Sequence, residues 1–324
     1  MTKAIRIHSN GGPEVMKWED VPTPEPGPGE ALIKHHAVCL NYIDVYFRTG
    51  LYKAPNMPLI IGSEGAGTVT AVGAGVTLFK PGDRVAYAGP MGGYATDRVL
   101  PADRLVKLPD SISFEIGAAM MLQGMTAQYL VRSTYPVKAG DTIVVHAAAG
   151  GVGLILCQWA KHLGATVIGT VGSPDKIELA RAHGCDHVFN TRTNDWTKGV
   201  RELTNGEGVP VVYDSIGRET FTGSLDCLAV RGMMVSFGNA SGPAPAIEPG
   251  LLSAKGSLFL TRPTLFHYTR TTQELQETAS DLFAVIASGA VKVSVHQRFK
   301  LEEARQAHEA LHSRNTTGAT VLIP

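Results

Sequence analysis

The chain has 324 residues, which at roughly 100–200 residues per domain predicts about two domains. Lys and Arg total 29, as do Asp and Glu, so the formal net charge is zero. This balance argues against a protein held mainly by the phosphates of nucleic acid or by an anionic membrane, and we expect neither as a partner. Four cysteines without a Cys-x-x-Cys pair exclude a disulfide framework and a four-cysteine zinc lobe.

No apolar run has the length of a signal peptide or of a membrane span, so the sequence predicts a cytoplasmic protein with reduced thiols. Glycine contributes 36 residues, about 11% of the chain against a usual level near 7%. This excess indicates many tight turns.

The amino-terminal part predicts a β-rich region with irregular connections. Its predicted elements are strands at Ala31–Leu40, Gly67–Val72 and Arg84–Ala88, a proline-rich loop at Val21–Glu30, and helices at Ser113–Leu122 and Thr126–Thr134.

From Asp141 onward, short apolar strands alternate with helices. The predicted strands are Thr142–Ala147, Thr166–Thr170, His187–Asn190, Val209–Asp214, Met233–Phe237 and Ser257–Leu260. The predicted helices are one that ends near Leu163, then Pro174–Ala182, Asp195–Thr204, Thr220–Leu228, Thr272–Ser288 and Leu301–Ser313, before a last strand at Ala319–Ile323. Six strands with regular crossovers predict an α/β fold with a doubly wound, parallel Rossmann sheet. Because this module begins in mid-chain, the flanking residues are expected to form one discontinuous β-rich domain, with the ligand cleft between the two.

A glycine loop follows the first strand of the predicted sheet and opens a helix. It reads Ala148-Ala149-Gly150-Gly151-Val152-Gly153, which matches G-x-G-x-x-G except that Ala148 replaces the first glycine. Strand, loop and helix stand in the order that a dinucleotide site requires. We therefore expect Gly150, Gly151, Val152 and Gly153 to bind a pyrophosphate at the helix N-terminus. The alternative is a plain strand-to-helix turn.

The end of the second strand favours NADP(H) over NAD(H). Enzymes that prefer NAD usually place an acid there, but this strand continues into Gly172 and Ser173 with no acid before Asp175. Ser173 is predicted to cap the next helix, so that Lys176 in its first turn and Arg192 after the third strand reach a 2′-phosphate. In the alternative interpretation, both basic residues are solvated surface charges.

The loop and several distant segments together resemble the zeta-crystallin type of quinone oxidoreductase, within the medium-chain dehydrogenase/reductase superfamily, and most of all its bacterial NADPH:quinone reductases. The segments that carry this resemblance are Gly140-Asp141, the loop at 148–153 with Gln158 and Lys161, His8–Val15, Asn41–Asp44, Gly62–Gly67, Lys80–Val85, Tyr213–Ser215 and Ser236–Asn239. The resemblance implies a GroES-like catalytic domain at 1–123, a Rossmann NADP-binding domain at 124–261, and a return to the catalytic domain at 262–324.

Zinc alcohol dehydrogenases of that superfamily carry a cysteine and a histidine where this chain has Asn41 and Ser63. With both ligands missing, we expect no metal and no strong Lewis acid to polarise an ordinary carbonyl. A quinone needs less help, because its conjugated carbonyls spread the charge that arrives with the hydride. The resemblance and the missing ligands together predict an NADPH-dependent quinone reductase.

The resemblance also implies a set of site residues. Near the substrate it places the catalytic candidates Asn41, Tyr46 and Tyr52, of which Asn41 and Tyr46 are expected to donate hydrogen bonds to the developing quinol oxygen. Near the cofactor it places Tyr42, Asp44, Thr126, Tyr129, Ile216, Phe237, Gly238, Asn239 and Arg314. Asp44 has an alternative role as a structural anchor, and Arg314 as a charge partner of a helix C-terminus.

His308-Glu309-Ala310-Leu311-His312 matches the zinc-protease pattern H-E-x-x-H, with both histidines on one face of a predicted helix. No third ligand is apparent, and a strand is predicted directly after this helix. We therefore treat the match to H-E-x-x-H as a chance occurrence of a short motif.

Two further functions stay open. One keeps the fold but reduces activated C=C bonds of enones, 2-alkenals or enoyl thioesters. The other is a non-enzymatic NADPH- or RNA-binding role, against which the neutral charge counts. By resemblance we also expect a homodimer, with the strand at Ser257–Leu260 as an edge that pairs two subunits.

Overall fold

The computed structural model describes residues 1–324 and separates them into two compact units. The first unit comprises Met1–Leu122, Thr269–Ala279 and Val293–Pro324, and the second comprises Gln123–Tyr268 and Ser280–Lys292. The sequence places these changes at 123/124 and 261/262, and it does not predict that 280–292 belong to the second unit. No helix combines the length and the hydropathy that a membrane span requires.

The first unit opens with strands and one short helix. Its elements are β1 (Thr2–Ile7), β2 (Met16–Val21), β3 (Glu30–Leu40), α1 (Tyr42–Thr49), β4 (Leu59–Ile60), β5 (Glu64–Val72), β6 (Arg84–Ala88), β7 (Asp97–Pro101) and β8 (Val106–Lys107). The helix α2 (Phe114–Tyr129) then leads into the second unit and ends in a π-helical turn at Leu130–Thr134.

The second unit alternates strands and helices. Its elements are β9 (Thr142–Val145), α3 (Gly151–His162), β10 (Thr166–Val171), α4 (Ile177–Ala182), β11 (His187–Asn190), α5 (Trp196–Leu203), β12 (Val209–Asp214), α6 (Phe221–Asp226), β13 (Leu228–Ser236), α7 (Pro249–Ala254), β14 (Phe259–Thr261) and α8 (Leu265–Tyr268). The chain ends with α9 (Thr272–Ala287), β15 (Val295–Lys300), α10 (Ala304–His312) and β16 (Ala319–Ile323).

The six strands of the second unit form one parallel sheet in the order β11-β10-β9-β12-β13-β14. This is the doubly wound order, in which β9 lies between β10 and β12 and the direction of winding reverses. Because the sheet is covered on both faces, its strands are runs of buried aliphatic residues such as Val144, Ile168 and Val212. The predicted α/β class and the Rossmann sheet are confirmed.

The first unit contains two sheets that are antiparallel except for one strand pair. A seven-stranded sheet has the order β15-β16-β3-β5-β6-β8 with β7 paired to β3, and β15 and β16 are parallel. A three-stranded sheet has the order β2-β1-β4. Residues from β1, β3, β16 and α10 share one core, which includes Ile5, Val38, Leu322 and Ala304. This unit is the predicted β-rich domain, and α1 is held on it next to β5.

Candidate functional site

The glycine loop of the second unit turns sharply between β9 and α3. Ala147 has a positive φ of 51°, and the amide of Gly150 donates back to its carbonyl at 2.8 Å. A Cβ at Gly153 would collide with that same carbonyl oxygen and with the backbone of Ala148. Only glycine at 153 therefore lets α3 begin this close to the strand.

Ala148 is the one departure of the loop from G-x-G-x-x-G, and the structure shows how it fits. Its methyl group is completely buried, and its amide donates to the carbonyl of Thr170 at 3.0 Å. A Cβ at Gly169, on the neighbouring β10, would lie only 2.9 Å from the Ala148 methyl and 2.6 Å from Cys185 Sγ. A glycine on the next strand thus provides the space that the first loop glycine would otherwise leave.

The N-terminus of α3 meets the requirements of an anion site. Gly150 is its N-cap and has no side chain to cap the first-turn amides of Gly151, Val152 and Gly153. No acidic residue lies in this first turn. Uncapped amides at the positive end of a helix, next to the strand where the sheet reverses its winding, fit the pyrophosphate of a dinucleotide.

The loops after β10 and β11 lie side by side because these strands are parallel neighbours, with Val171 paired to Asn190. Ser173 stands at the predicted N-cap position, with extended backbone before a 3-10 turn at Pro174–Lys176, but its side chain forms no capping hydrogen bond. Its hydroxyl is hydrogen-bonded to Asp175, and this bond lowers the pKa of that exposed carboxyl. The predicted phosphate residues Ser173, Lys176 and Arg192 are thereby brought to one edge of the sheet.

A buried hydrogen-bond chain that sequence reasoning missed ties three strand ends together. Ser224 donates to Asp214 Oδ2 at 2.9 Å, so that its oxygen accepts from His146 Nε2, also at 2.9 Å. The other ring nitrogen of His146 accepts from Thr170 at 2.7 Å. Burial lowers the pKa of His146, which keeps the ring neutral, as this chain requires.

Asp214 extends this chain to the loop after β12. Its Oδ1 accepts the amides of Ile216 at 2.8 Å and Gly217 at 3.0 Å. A Cβ at Gly238, after the neighbouring β13, would collide with the carbonyl of Ser215. The predicted residues Ile216, Phe237, Gly238 and Asn239 therefore lie together at the carboxyl ends of two adjacent strands, where open α/β sheets bind ligands.

Thr126 and Tyr129 share one face of α2, as predicted. The Tyr129 ring stacks on Tyr268 with centroids 4.3 Å apart and an angle of 11° between the ring planes. Burial raises the pKa of Tyr129, and a side-chain hydrogen bond with Thr126 lowers it. Both residues are almost fully buried, so their side chains provide packing surface and their hydroxyls are not exposed as hydrogen-bond donors.

In the first unit, the positions that hold zinc ligands in alcohol dehydrogenases carry a network of buried hydrogen bonds. Asp44 is fully buried, and its oxygens accept from the amide of Asn41 at 2.9 Å, the Ser63 hydroxyl at 3.0 Å and the Tyr94 hydroxyl at 3.0 Å. Burial raises the pKa of Asp44 to about 7, although the three hydrogen bonds act in the opposite direction and lower it. Asp44 therefore orients α1 and Asn41, which is the structural role that the sequence left open.

Glu64, at the start of β5, is the second buried carboxyl of this network and was not among the predicted residues. It accepts from Asn41 Nδ2 at 2.6 Å and from the amide of Leu122 at 2.6 Å. Burial raises its pKa to about 8. Asn41 Nδ2 also donates to the carbonyl of Cys39 at 3.5 Å. The segment Gly62-Ser63-Glu64 was the feature of the sequence that could have indicated a role for Glu64.

The predicted tyrosines form an aromatic cluster around α1. Tyr46 packs against Tyr42 at 6.3 Å and against Tyr52 at 5.1 Å between ring centroids. Tyr46 is 7% exposed, while Tyr42 and Tyr52 are half-buried. Burial raises the pKa of Tyr42, and the positive charge of Arg314 lowers it, which places Arg314 beside this cluster.

Both histidines of the H-E-x-x-H pattern on α10 contact the side chain of Arg48. His308 Nδ1 accepts from Arg48 Nη1 at 2.9 Å, and His312 Nδ1 faces Arg48 Nη2 at 3.5 Å. His308 Nε2 contacts the Tyr94 hydroxyl at 3.2 Å, which links this pair to Asp44. No group of three or more His, Cys, Asp and Glu side chains is placed to hold a metal ion.

The structure thus gathers the predicted site residues into two groups. Asn41, Tyr42, Asp44, Tyr46, Tyr52 and Arg314 lie in the first unit, and Thr126, Tyr129, the loop at 150–153, Gly172, Ser173, Lys176, Arg192, Ile216 and Phe237–Asn239 lie in the second.

Comparison with known proteins matches both units. Residues 27–110 match the alcohol dehydrogenase GroES-like domain, and residues 151–288 match the zinc-binding dehydrogenase family. A quinone oxidoreductase of Pseudomonas aeruginosa is 53% identical over the full length of both chains. The crystal structure of Escherichia coli quinone oxidoreductase complexed with NADPH is 47% identical, with 100% of both chains covered and a TM-score of 0.98. A 2-haloacrylate reductase of Burkholderia sp. is 44% identical over 100% of this chain and 99% of its own.

Identity at this level runs through both units, and the fold agrees from end to end. The chain belongs to the quinone oxidoreductase family of the medium-chain dehydrogenase/reductase superfamily.

Proposed function

We propose that this protein is an NADPH-dependent reductase of quinones. The observation that carries the proposal is the N-terminus of α3, where three uncapped amides follow the strand at which the sheet reverses its winding. The E. coli relative that contains NADPH, with a TM-score of 0.98, supports the choice of cofactor. When bound, NADPH supplies a hydride to the acceptor.

The second unit would hold the cofactor through its strand-end loops. The amides at 151–153 receive the pyrophosphate, while Ser173, Lys176 and Arg192 surround the 2′-phosphate. Gly172 suits this edge because a Cβ there would meet no atom within 4 Å, so the loop is open to a ligand. Ile216 and Phe237–Asn239 line the ends of β12 and β13, and Thr126 and Tyr129 contribute apolar contact toward the nicotinamide.

The first unit would bind the quinone through the aromatic cluster of Tyr42, Tyr46 and Tyr52. Planar, conjugated rings pack well against tyrosine faces and edges. Since the amide hydrogens of Asn41 already point to Glu64 and Cys39, we assign hydrogen-bond donation to the tyrosine hydroxyls and a positioning role to Asn41. We further propose that the reaction needs no metal, because Asn41 and Ser63 are neutral groups engaged with the carboxyls of Glu64 and Asp44.

NADPH consumption at 340 nm, with simple ortho- and para-quinones as acceptors, tests this function. We expect turnover with NADPH, a higher KM with NADH, and no loss of activity after dialysis against a chelator. A protein that binds NADPH and leaves every quinone unreduced would refute the quinone assignment.

A second candidate is the reduction of activated C=C bonds. The 44% identity to a 2-haloacrylate reductase over the whole chain favours it specifically. Rates measured side by side on a para-quinone, a 2-alkenal and a 2-haloacrylate distinguish the two. If kcat/KM for either alkene exceeds that for the quinones, the alkene reductase is the function.

We also propose a cytoplasmic homodimer that pairs through β14. This strand ends the six-stranded sheet with β13 as its only neighbour, and Phe259 and Leu260 are exposed on it. An exposed apolar edge strand is a template for pairing with a second chain.

A further inference from the structure

α1 is a helix of eight residues with two charged side chains on its inward face. Asp44 and Arg48 lie four residues apart and therefore on one face of the helix, and both are 0% exposed. Tyr42 and Tyr46 each precede one of them by two positions, which corresponds to about 200° around a helix. The aromatic cluster to which we assign the quinone is thus carried on the face opposite the two charges.

Two neutral side chains connect the charged residues of the inward face by hydrogen bonds. Arg48 Nη1 donates to His308 Nδ1 at 2.9 Å, and His308 Nε2 contacts the Tyr94 hydroxyl at 3.2 Å. The Tyr94 hydroxyl then donates to Asp44 Oδ2 at 3.0 Å. Tyr94 and His308 are 0% exposed as well, so all four residues are closed to water. We call these four residues the Arg48–Asp44 bridge.

The direction of each hydrogen bond in the bridge follows from the one before it. A guanidinium has no acceptor, so His308 must accept at Nδ1 and its ring hydrogen is on Nε2. Burial and the positive charges of Arg48 and His312 lower the pKa of His308, which keeps its ring neutral. Nε2 therefore donates to Tyr94, whose single hydrogen is left for Asp44. The cation at one end fixes every donor as far as the carboxyl at the other.

The bridge takes the place of apolar packing on this face of α1. Four residues of α1 are buried, and two of them are Asp44 and Arg48. The helix cannot turn or slide without breaking hydrogen bonds that water cannot replace, and a buried donor left without an acceptor is costly. The other two members are fixed to the core of the first unit. His308 belongs to α10, and the amide of Tyr94 donates to the carbonyl of Ile61 at 2.8 Å.

We propose that Tyr94 and His308 are positioning residues for the quinone. They hold the inward face of α1 and thereby set where the aromatic cluster on its opposite face meets the substrate. This inference rests on the proposed function, which assigns the quinone to Tyr42, Tyr46 and Tyr52. It also gives a role to the first histidine of the H-E-x-x-H pattern.

The KM for a para-quinone, measured at saturating NADPH, tests this role. Tyr94→Phe removes one hydroxyl and keeps the ring, whereas His308→Leu removes both ring nitrogens. In each variant KM should rise on the order of 10-fold, because α1 is displaced together with the surface that binds the substrate. A loss of folded enzyme lowers kcat and leaves KM unchanged, so KM separates displacement of α1 from instability.

Three further variants make the result specific. His308→Gln restores an acceptor and a donor on one side chain and should recover most of the wild-type KM. Ala307→Gly, on the same helix but outside the bridge, lowers stability and should leave KM at the wild-type value. In the double variant Tyr94→Phe/His308→Leu, KM should equal that of His308→Leu alone, since the bridge is already broken.

Hydrogen exchange of the α1 amides tests the bridge without any substrate. Exchange should be at least ~10-fold faster in Tyr94→Phe and His308→Leu than in the wild type, because local opening of α1 then breaks fewer hydrogen bonds. The amides of α5, in the second unit, should exchange at the wild-type rate.

The proposal fails if Tyr94→Phe and His308→Leu keep the wild-type KM, if their effects multiply in the double variant, or if their α1 amides exchange no faster. It also fails if His308→Gln behaves like His308→Leu, or if Ala307→Gly raises KM equally. Should His308→Leu not fold, Tyr94→Phe decides through KM and exchange. Quinone turnover with unchanged KM refutes only the role of the bridge, whereas a wild type that reduces no quinone refutes the proposed function and this role with it.

Discussion

Asp44 and Glu64 are buried carboxyls whose hydrogen bonds come from neutral donors. Backbone amides, an amide side chain and two hydroxyls surround them, at distances between 2.6 and 3.0 Å. Without a neighbouring cation, desolvation dominates and raises the pKa of Asp44 to about 7 and that of Glu64 to about 8. Protons at these residues therefore titrate near neutral pH in the folded protein.

Glu64→Gln should change how stability depends on pH. The pKa of Glu64 rises from 4.5 to about 8 on folding, so between these values the folded state holds a proton that the unfolded state has lost. The unfolding free energy must then fall as the pH rises through this window. Urea denaturation from pH 5 to pH 9 should show a shallower fall for Glu64→Gln than for the wild type. Exposed Glu25→Gln is the control, and parallel curves for wild type and Glu64→Gln would contradict the assignment.

Lys176 supplies a prediction about cofactor choice. In Lys176→Ala, the 2′-phosphate of NADPH loses a charged hydrogen bond worth ~1.5–3 kcal/mol, so KM for NADPH should rise about 10- to 150-fold. KM for NADH, which has no 2′-phosphate, should change little. Steady-state kinetics with both cofactors measure this, with Lys138→Ala, exposed in the turn before β9, as the control. Equal increases for NADPH and NADH would rule out a phosphate contact.

At the scale of elements, strands that are apolar runs bounded by turn residues were predictable, whether their partners lie near or far along the chain. The strands β6, β11, β12 and β16 begin and end at the predicted residues, because turn residues bound each apolar run. The sequence missed β1, β2 and β7, because charged residues interrupt the apolar run in each of them. β13 begins five residues before the predicted start, at Leu228, through a bulge in its pairing with β12.

Two helices show further limits of sequence reasoning. α1 was not predicted, although Asn41 and Asp44 form the capping box that starts it, and this spacing was a readable signal. α2 was predicted to stop at Leu122 and resume at Thr126, but it is continuous because Gly124 packs against Leu282, which would lie 2.6 Å from a Cβ there. From sequence alone, a glycine inside a helix predicts a helix end unless its packing partner, here 158 residues away, is known.

The residues of the candidate site also differ in whether the sequence alone could predict them. The glycine loop and its phosphate residues could be inferred because the motif is contiguous. Glu64, Tyr94 and the chain from His146 to Asp214 could not, since each depends on side chains that meet only after the sheets form.

Gly153 and Gly172 allow the same Gly→Ala substitution to be compared at a crowded and at an open position of the strand–loop–helix element. In Gly153→Ala the new methyl collides with the backbone of Ala147 and Ala148, and we expect a loss of ~1–3 kcal/mol or more in unfolding free energy. In Gly172→Ala the methyl meets nothing within 4 Å, and stability should stay within about 0.5 kcal/mol of wild type. Urea denaturation of both variants measures the difference. Equal stabilities would mean that α3 does not approach β9 as closely as described.

For the whole molecule, the neutral balance of charges leaves apolar surface as the main source of self-association. The large exposed apolar side chains include Phe259 at 57% and Leu260 at 38%, both on β14, and Val230 at 75% on the adjacent β13. Phe259 and Leu260 are consecutive residues of the edge strand, so a large apolar side chain is exposed on each face of β14.

Phe259→Lys should therefore convert a dimer into a monomer. A charge on an edge strand opposes pairing with a second copy, because it would be buried against the same charge across a two-fold axis. Light scattering after size exclusion should give twice the 34.4 kDa of one chain for the wild type and a single chain mass for the variant. Leu203→Lys, 41% exposed at the end of α5, introduces the same charge away from the edge and should remain dimeric. A monomeric wild type, or a Phe259→Lys protein that stays dimeric, would show that β14 is not the pairing edge.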